Sequence, residues 1–212
     1  AKEIQTVEIA STGDATDFGD MSVTRRESAA AGNSIRGVIA GGTGPITDLV
    51  EYVVMSSQGG ANDFGNLSST RRSFSGSGND TRGIFFGGNN PSRTSIIEFI
   101  NFSTTGNVNE FGRLGVFSGY TTAGEGGYPS DDNGSFSSPT RAVVFGSGDA
   151  NTINSQKIQF VTISTLGDTE LFGDLTEGVR YTAGCSSPTR GLRGGGKTSS
   201  EVDTIDYVTI AT

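Results

Sequence analysis

The 212 residues contain no histidine and no tryptophan, one cysteine, two methionines and five prolines. Without histidine the chain lacks the commonest metal ligand. It also lacks the one side chain whose ordinary pKa suits proton transfer near neutrality. The lone Cys185 has no internal disulfide partner, so stability must come from packing and strand pairing. No basic group beside it lowers its pKa, and a structural, partly buried thiol is expected. No stretch is apolar and long enough to span a membrane, and "AKEIQTVEIA" lacks the apolar core of a signal peptide. Ala1 reads as a first residue left by removal of an initiator methionine. Positive charge is the minority: 15 Lys and Arg against 23 Asp and Glu, a net charge of −8. Such a balance repels nucleic-acid phosphates and anionic lipid, so neither nucleic acid nor membrane insertion is expected. The pairs Arg25-Arg26 and Arg71-Arg72 are too small to make a basic patch.

What is present is glycine, 33 residues and roughly twice the usual share, with much Ser, Thr, Asn and Asp. That is turn chemistry, and it favours many short strands over helices. β-Branched and aromatic residues recur in compact clusters, which argues for a packed chain and against disorder.

The clusters repeat. "IQTVEIASTG" (4–13), "VEYVVMSSQG" (50–59), "IEFINFSTTG" (97–106), "IQFVTISTLG" (158–167) and "IDYVTIAT" (205–212) each alternate with period two. Val7, Val53, Ile100, Val161 and Val208 share one face, while Tyr52, Phe99, Phe160 and Tyr207 lie on the other. Apolar groups on both faces imply a strand held between neighbours. An aromatic-glycine step follows the first four: "TDFGDM", "NDFGNL", "NEFGRL" and "ELFGDL", with Phe18, Phe64, Phe111 and Phe172 at intervals of 46, 47 and 61. Next come a small-residue run near an Arg and a short apolar strand ending in glycines, as in "RGVIAGG" (36–42) and "RGIFFGG" (82–88). The third unit is lengthened by "GYTTAGEGGYPSDDNGSFSSP" (119–139).

The expectation is an all-β fold in one domain, 1–212: a small β-propeller of about four blades. Its repeats run at about 4–47, 48–94, 95–155 and 156–203, with a terminal strand at 204–212. A two-sheet sandwich is the second fold considered and an open stack of hairpins the third. Four units carry five copies of the tyrosine-type strand, and the first copy has Thr6 where an aromatic belongs. The fifth copy therefore replaces the first, adds an edge strand, or pairs with another subunit, which makes a homo-oligomer through the terminal strand a candidate.

In its order of elements, "RGVIAGG…VEYVVM…NDFGNLSSTRR" resembles the kelch repeat, with Phe64 where that family usually has Trp. The wording of "IDYVTIAT" and of the "DFGD" steps resembles repeats in structural and fibre-like proteins of bacteriophages that infect marine cyanobacteria. The second resemblance implies a non-enzymatic virion component: a capsid-surface, tail or fibre accessory, assembled in the host cytoplasm and binding other virion proteins. A receptor-binding, lectin-like module for host surface polysaccharide is the alternative.

Three local motifs invite chemistry. "GLRGGGKTSS" (191–200) matches the phosphate-loop pattern, yet it fills the slot of "RGVIAGGTGPI" and precedes a β-branched strand rather than a helix. It reads as a blade turn. "SDDNGS" (130–135) carries part of an Asp-box turn, and its spacing is not that of an EF-hand. "DFG" recurs in repeat register without any kinase signature beside it. No catalytic residue, metal ligand or cofactor site is nominated. The candidate binding residues are Asn89, Asn90 and Arg93 in one loop, and Tyr128, Asp131, Asp132 and Asn133 in the insertion, all able to hydrogen-bond or stack on a glycan or partner. Arg36, Arg82, Arg141 and Arg190, each before an apolar strand, are expected to tie blades by bonding neighbouring carbonyls or carboxylates.

Overall fold

A computed structural model of the chain describes residues 2–115, 132–147 and 155–210, and every regular element in them is a β-strand. A two-stranded ladder, β1 (Glu3–Thr6) and β2 (Thr16–Asp20), comes first. The first blade follows: β3 (Ala29–Gly32), β4 (Arg36–Ala40), β5 (Leu49–Val54) and β6 (Asn62–Asn66). The second is β7 (Ser75–Gly78), β8 (Arg82–Phe86), β9 (Ile96–Asn101) and β10 (Asn109–Arg113). The third is β11 (Gly134–Ser137), β12 (Arg141–Phe145), β13 (Lys157–Thr162) and β14 (Glu170–Asp174). The fourth has three strands, β15 (Ala183–Ser186), β16 (Arg190–Gly194) and β17 (Ile205–Thr209). All pairings are antiparallel, and the four sheets form the blades of a four-bladed β-propeller, as the repeats led one to expect.

Each position in the repeat has a physical reason. The first strands of successive blades pack on one another in the order β3, β7, β11, β15. Most of their residues are therefore small, with Phe136 on β11 the one large side chain. A Cβ on Gly76 would lie 2.5 Å from the Ala30 carbonyl oxygen, and one on Gly184 2.6 Å from that of Ser135. The aromatic-glycine steps form the fourth strands, and the pairing register slips at each phenylalanine, a bulge that re-aims the ring. Phe64, Phe111 and Phe172 thereby meet Tyr52, Phe99 and Phe160 edge to face, with centroids 5.9, 5.9 and 6.0 Å apart.

The apolar core is three cores, one in each gap between blades. Val38, Ala40 and Phe64 of the first blade pack with Phe85, Ile100 and Phe102 of the second. Ile84, Phe86 and Phe111 meet Ala142, Val144 and Ile163, and Phe145 with Ile158 meets Val179 and Ile210. Two of the four recurrent arginines tie this stack together, while Arg141 and Arg190 stack over Phe160 and Tyr207 within their own blades. Arg36 donates to the carbonyl of Phe102 and Arg82 donates to that of Ile163 at 2.7 Å, each reaching the next blade. Their guanidinium groups also cover the Tyr52 and Phe99 rings at 4.6 and 4.8 Å.

One finding corrects the sequence reading and another adds to it. Cys185 is exposed, because β15 is the innermost strand of the last blade and no further blade covers it. The Arg pairs are not surface features in both members. Arg25 and Arg71 are buried against Glu51 and Glu98, which sit in the middle of apolar strands. Burial pushes both guanidinium pKa values down, and the adjacent carboxylates work against that shift. In the third blade Gln159 replaces the acid and accepts bonds from Thr169 and the Gly115 amide. In the fourth the arginine has moved. Val179 stands at the old site, and Arg193, on the strand beside Asp206, supplies the charge at 2.9 Å.

Candidate binding site at the propeller axis

Four linkers lead into the four innermost strands, and each passes through one residue in the left-handed region: Glu27 (φ 58°), Ser73 (55°), Asp132 (55°) and Tyr181 (55°). Non-glycine residues in that region cost roughly 1–3 kcal/mol each, so the surrounding structure must hold them there. It does so with a ladder from blade to blade. The Ser73 amide donates to the Glu27 carbonyl at 2.9 Å, Asp132 to Ser73 at 2.8 Å and Tyr181 to Asp132 at 2.9 Å. One backbone position is thus presented four times around the axis with four different side chains.

These residues line a cavity of about 470 Å³. Its walls carry three arginines, Arg72, Arg93 and Arg180, against two acids, Glu27 and Asp132. Arg72 donates to Glu27 at 2.9 Å and Ser73 Oγ donates to the same carboxylate at 3.2 Å. Burial pushes the Glu27 carboxyl up, but those two hydrogen bonds and the neighbouring positive charges outweigh it and hold the group below the usual carboxylate range. Arg180 stacks over the Tyr181 ring at 5.3 Å. The arrangement offers cationic donors, carboxylate acceptors and an exposed aromatic face in one concavity, which is recognition chemistry.

Four of the seven nominated residues, Asn89, Arg93, Asp132 and Asn133, line this cavity. They come from two loops far apart in sequence. Asn90 does not join them; its side-chain amide donates to the Thr70 carbonyl at 3.1 Å and to Thr70 Oγ. Tyr128 and Asp131 lie outside the described residues. Sequence reasoning missed Glu27, Arg72, Ser73, Arg180 and Tyr181. Glu27, Ser73 and Tyr181 share a repeat position that carries no special residue type, while Arg72 and Arg180 stand just before it, where the first repeat has Arg26.

The phosphate-loop match is a blade turn. Gly195 and Gly196 have φ of 62° and 114°, and the chain continues into β17. The Lys197 amide donates to Arg180 at 2.8 Å and the Thr198 amide to Ser200 at 2.9 Å, so the donors a phosphate needs are already bonded to carbonyls. Among the described residues, no group of three or more His, Cys, Asp or Glu could hold a metal ion.

The fold defines the class: a small four-bladed β-propeller, here with a polar cavity at its axis. Compared with known proteins, the chain matches no family model and no curated protein.

Proposed function

We propose that the chain is a non-enzymatic accessory protein of a virion, a rigid scaffold that binds other virion proteins through its axial face. The observation that carries this reading is the axial ladder. A repeated backbone frame holds four unlike side chains around one cavity, which suits a specific interface. The resemblance of the repeats to kelch blades and to phage structural proteins supplies the virion context. The test is co-purification. Mass spectrometry of purified particles from an infected cyanobacterial culture is expected to find the chain in stoichiometric amount, and Arg72→Glu is expected to release it. Particles that lack the chain overturn the reading.

The nominated residues favour a second reading, a lectin-like module for host surface polysaccharide. Asn89, Arg93, Asp132 and Tyr181 together provide the hydrogen-bonding and stacking groups that a charged sugar requires. Titration calorimetry with acidic polysaccharide from the host envelope is expected to show binding weakened at least about tenfold by Arg93→Ala, the worth of one charge-assisted hydrogen bond. No heat with any envelope fraction sinks this alternative.

A further inference from the structure

We infer that the last blade is a docking surface for the first strands of a second copy of this chain. The interface it would use is already present in the molecule three times. At equivalent positions Val50, Ile97 and Ile158 are 0, 0 and 2% exposed, whereas Ile205 is 72% exposed. Tyr207 is 65% exposed where Phe99 is 7%. Among the described residues this blade has no fourth strand and no blade packed beyond it, so its apolar groups face outward.

The other end of the chain offers the missing parts. Strand β2 carries Phe18, but its partner β1 has Thr6 where the other blades place an aromatic. Tyr207 is the converse, a blade aromatic whose sheet has no phenylalanine strand. The glycines agree. In the first three steps a fourth-strand glycine lies against the turn of the next blade: Gly19 on Gly59, Gly65 on Gly106 and Gly112 on Gly167. Gly173, next in that series, has open space around it, and the Gly13 turn before β2 is the counterpart of those at Gly59, Gly106 and Gly167. Met55 completes the match. It is 52% exposed, while its counterparts Phe102, Ile163 and Ile210 are 1–2% exposed inside the preceding blade.

The two ends do not meet within this molecule, for β15 is exposed along its whole length. A second copy therefore supplies them. Its β2 exchanges β1, a four-residue partner with one register slip, for β17. The sheet β15–β16–β17–β2 then has the strand order of a complete blade, Phe18 reaches Tyr207, and the Gly13 turn covers Gly173. The amides of Gly13 and Ala15 take the carbonyls of Phe172 and Asp174, as those of Gly167 and Thr169 take Phe111 and Arg113 at 2.9 Å each. Such a contact is head-to-tail, so every copy has one donor end and one acceptor end.

That polarity provides the test. Light-scattering mass across a micromolar concentration series is expected to rise in whole multiples of the chain mass. Met55→Asp blocks the donor end and Tyr207→Asp the acceptor end, both at exposed positions. Each variant alone is expected to stay monomeric, and an equal mixture is expected to double in mass and stop there, which also shows that both are folded. A wild-type chain that stays monomeric throughout, or a mixture of variants that does, overturns the inference. So does a monomer in which Cys185 is shielded from a maleimide reagent, since the ends would then close within one chain.

Discussion

Gly112 and Gly173 occupy the same slot, the glycine after the bulged phenylalanine of a fourth strand, and neither has its φ in the left-handed region. They differ in what lies against them. A Cβ on Gly112 would sit 2.1 Å from the Gly167 carbonyl oxygen, 2.4 Å from its carbon and 2.9 Å from the Asp168 nitrogen, whereas nothing lies within 4 Å of one on Gly173. The clash at Gly112 involves backbone, which cannot rotate away. Relief requires the turn to retreat, stretching the bonds of 2.9 Å that Gly167 and Thr169 donate to Phe111 and Arg113. Overpacking costs about 1–3 kcal/mol, and a weakened backbone hydrogen bond adds roughly 0.5–1.5 kcal/mol. Gly112→Ala is therefore expected to destabilise the protein by about 2–4 kcal/mol. Gly173→Ala meets no clash and restricts only the unfolded chain, a gain of about 0.4–1 kcal/mol. For a chain of this size each kcal/mol moves Tm by roughly 2–4 °C, so the two variants should separate by about 5–20 °C. Thermal unfolding followed by far-UV circular dichroism, on samples dilute enough to be monomeric, measures it. Equal Tm values for the two alanine variants would falsify the blade-stacking account.

The buried ion pairs give a second expectation. Arg71→Met leaves Glu98 buried with only the Ser68 amide as partner, at 3.1 Å, and should cost about 3–5 kcal/mol in urea unfolding. Adding Glu98→Leu should recover most of that loss; a double variant as unstable as the single one contradicts the desolvation argument. The Glu27 carboxyl has a pKa depressed by Arg72 and Ser73, so its contribution is present above the ordinary carboxylate range and is lost as pH falls through the depressed value. Glu27→Gln should flatten that part of the acid limb of the stability profile, and an unchanged limb counts against the Arg72 contact. Lys197→Ala should leave nucleotide binding at the background level of the wild type, and an ATP affinity that this substitution abolishes would overturn the blade-turn reading.

How much was legible can be argued from particular residues. Period-two alternation in "VEYVVM" and "IEFINF" identifies strands because side chains must alternate across a sheet, and no partner is needed to see it. Asn89, Arg93, Asp132 and Asn133 were legible as polar groups in loops. Glu27 and Tyr181 were not, because a left-handed conformation at a non-glycine residue leaves no mark on residue type. The burial of Glu51 and Glu98 was not legible, because their partners lie 26 and 27 residues earlier, two strands away in each blade.

By itself the sequence determined the strands, their turns, the repeat and the all-β class, since each follows from local periodicity and backbone freedom. Only the tertiary structure decided which repeat positions converge on the axis, which charges are buried in pairs, and that Cys185, Ile205 and Tyr207 lie open where their counterparts are covered. Those outcomes depend on the blade that lies next to each residue, and a repeat read along the chain looks the same whether or not a neighbour covers it.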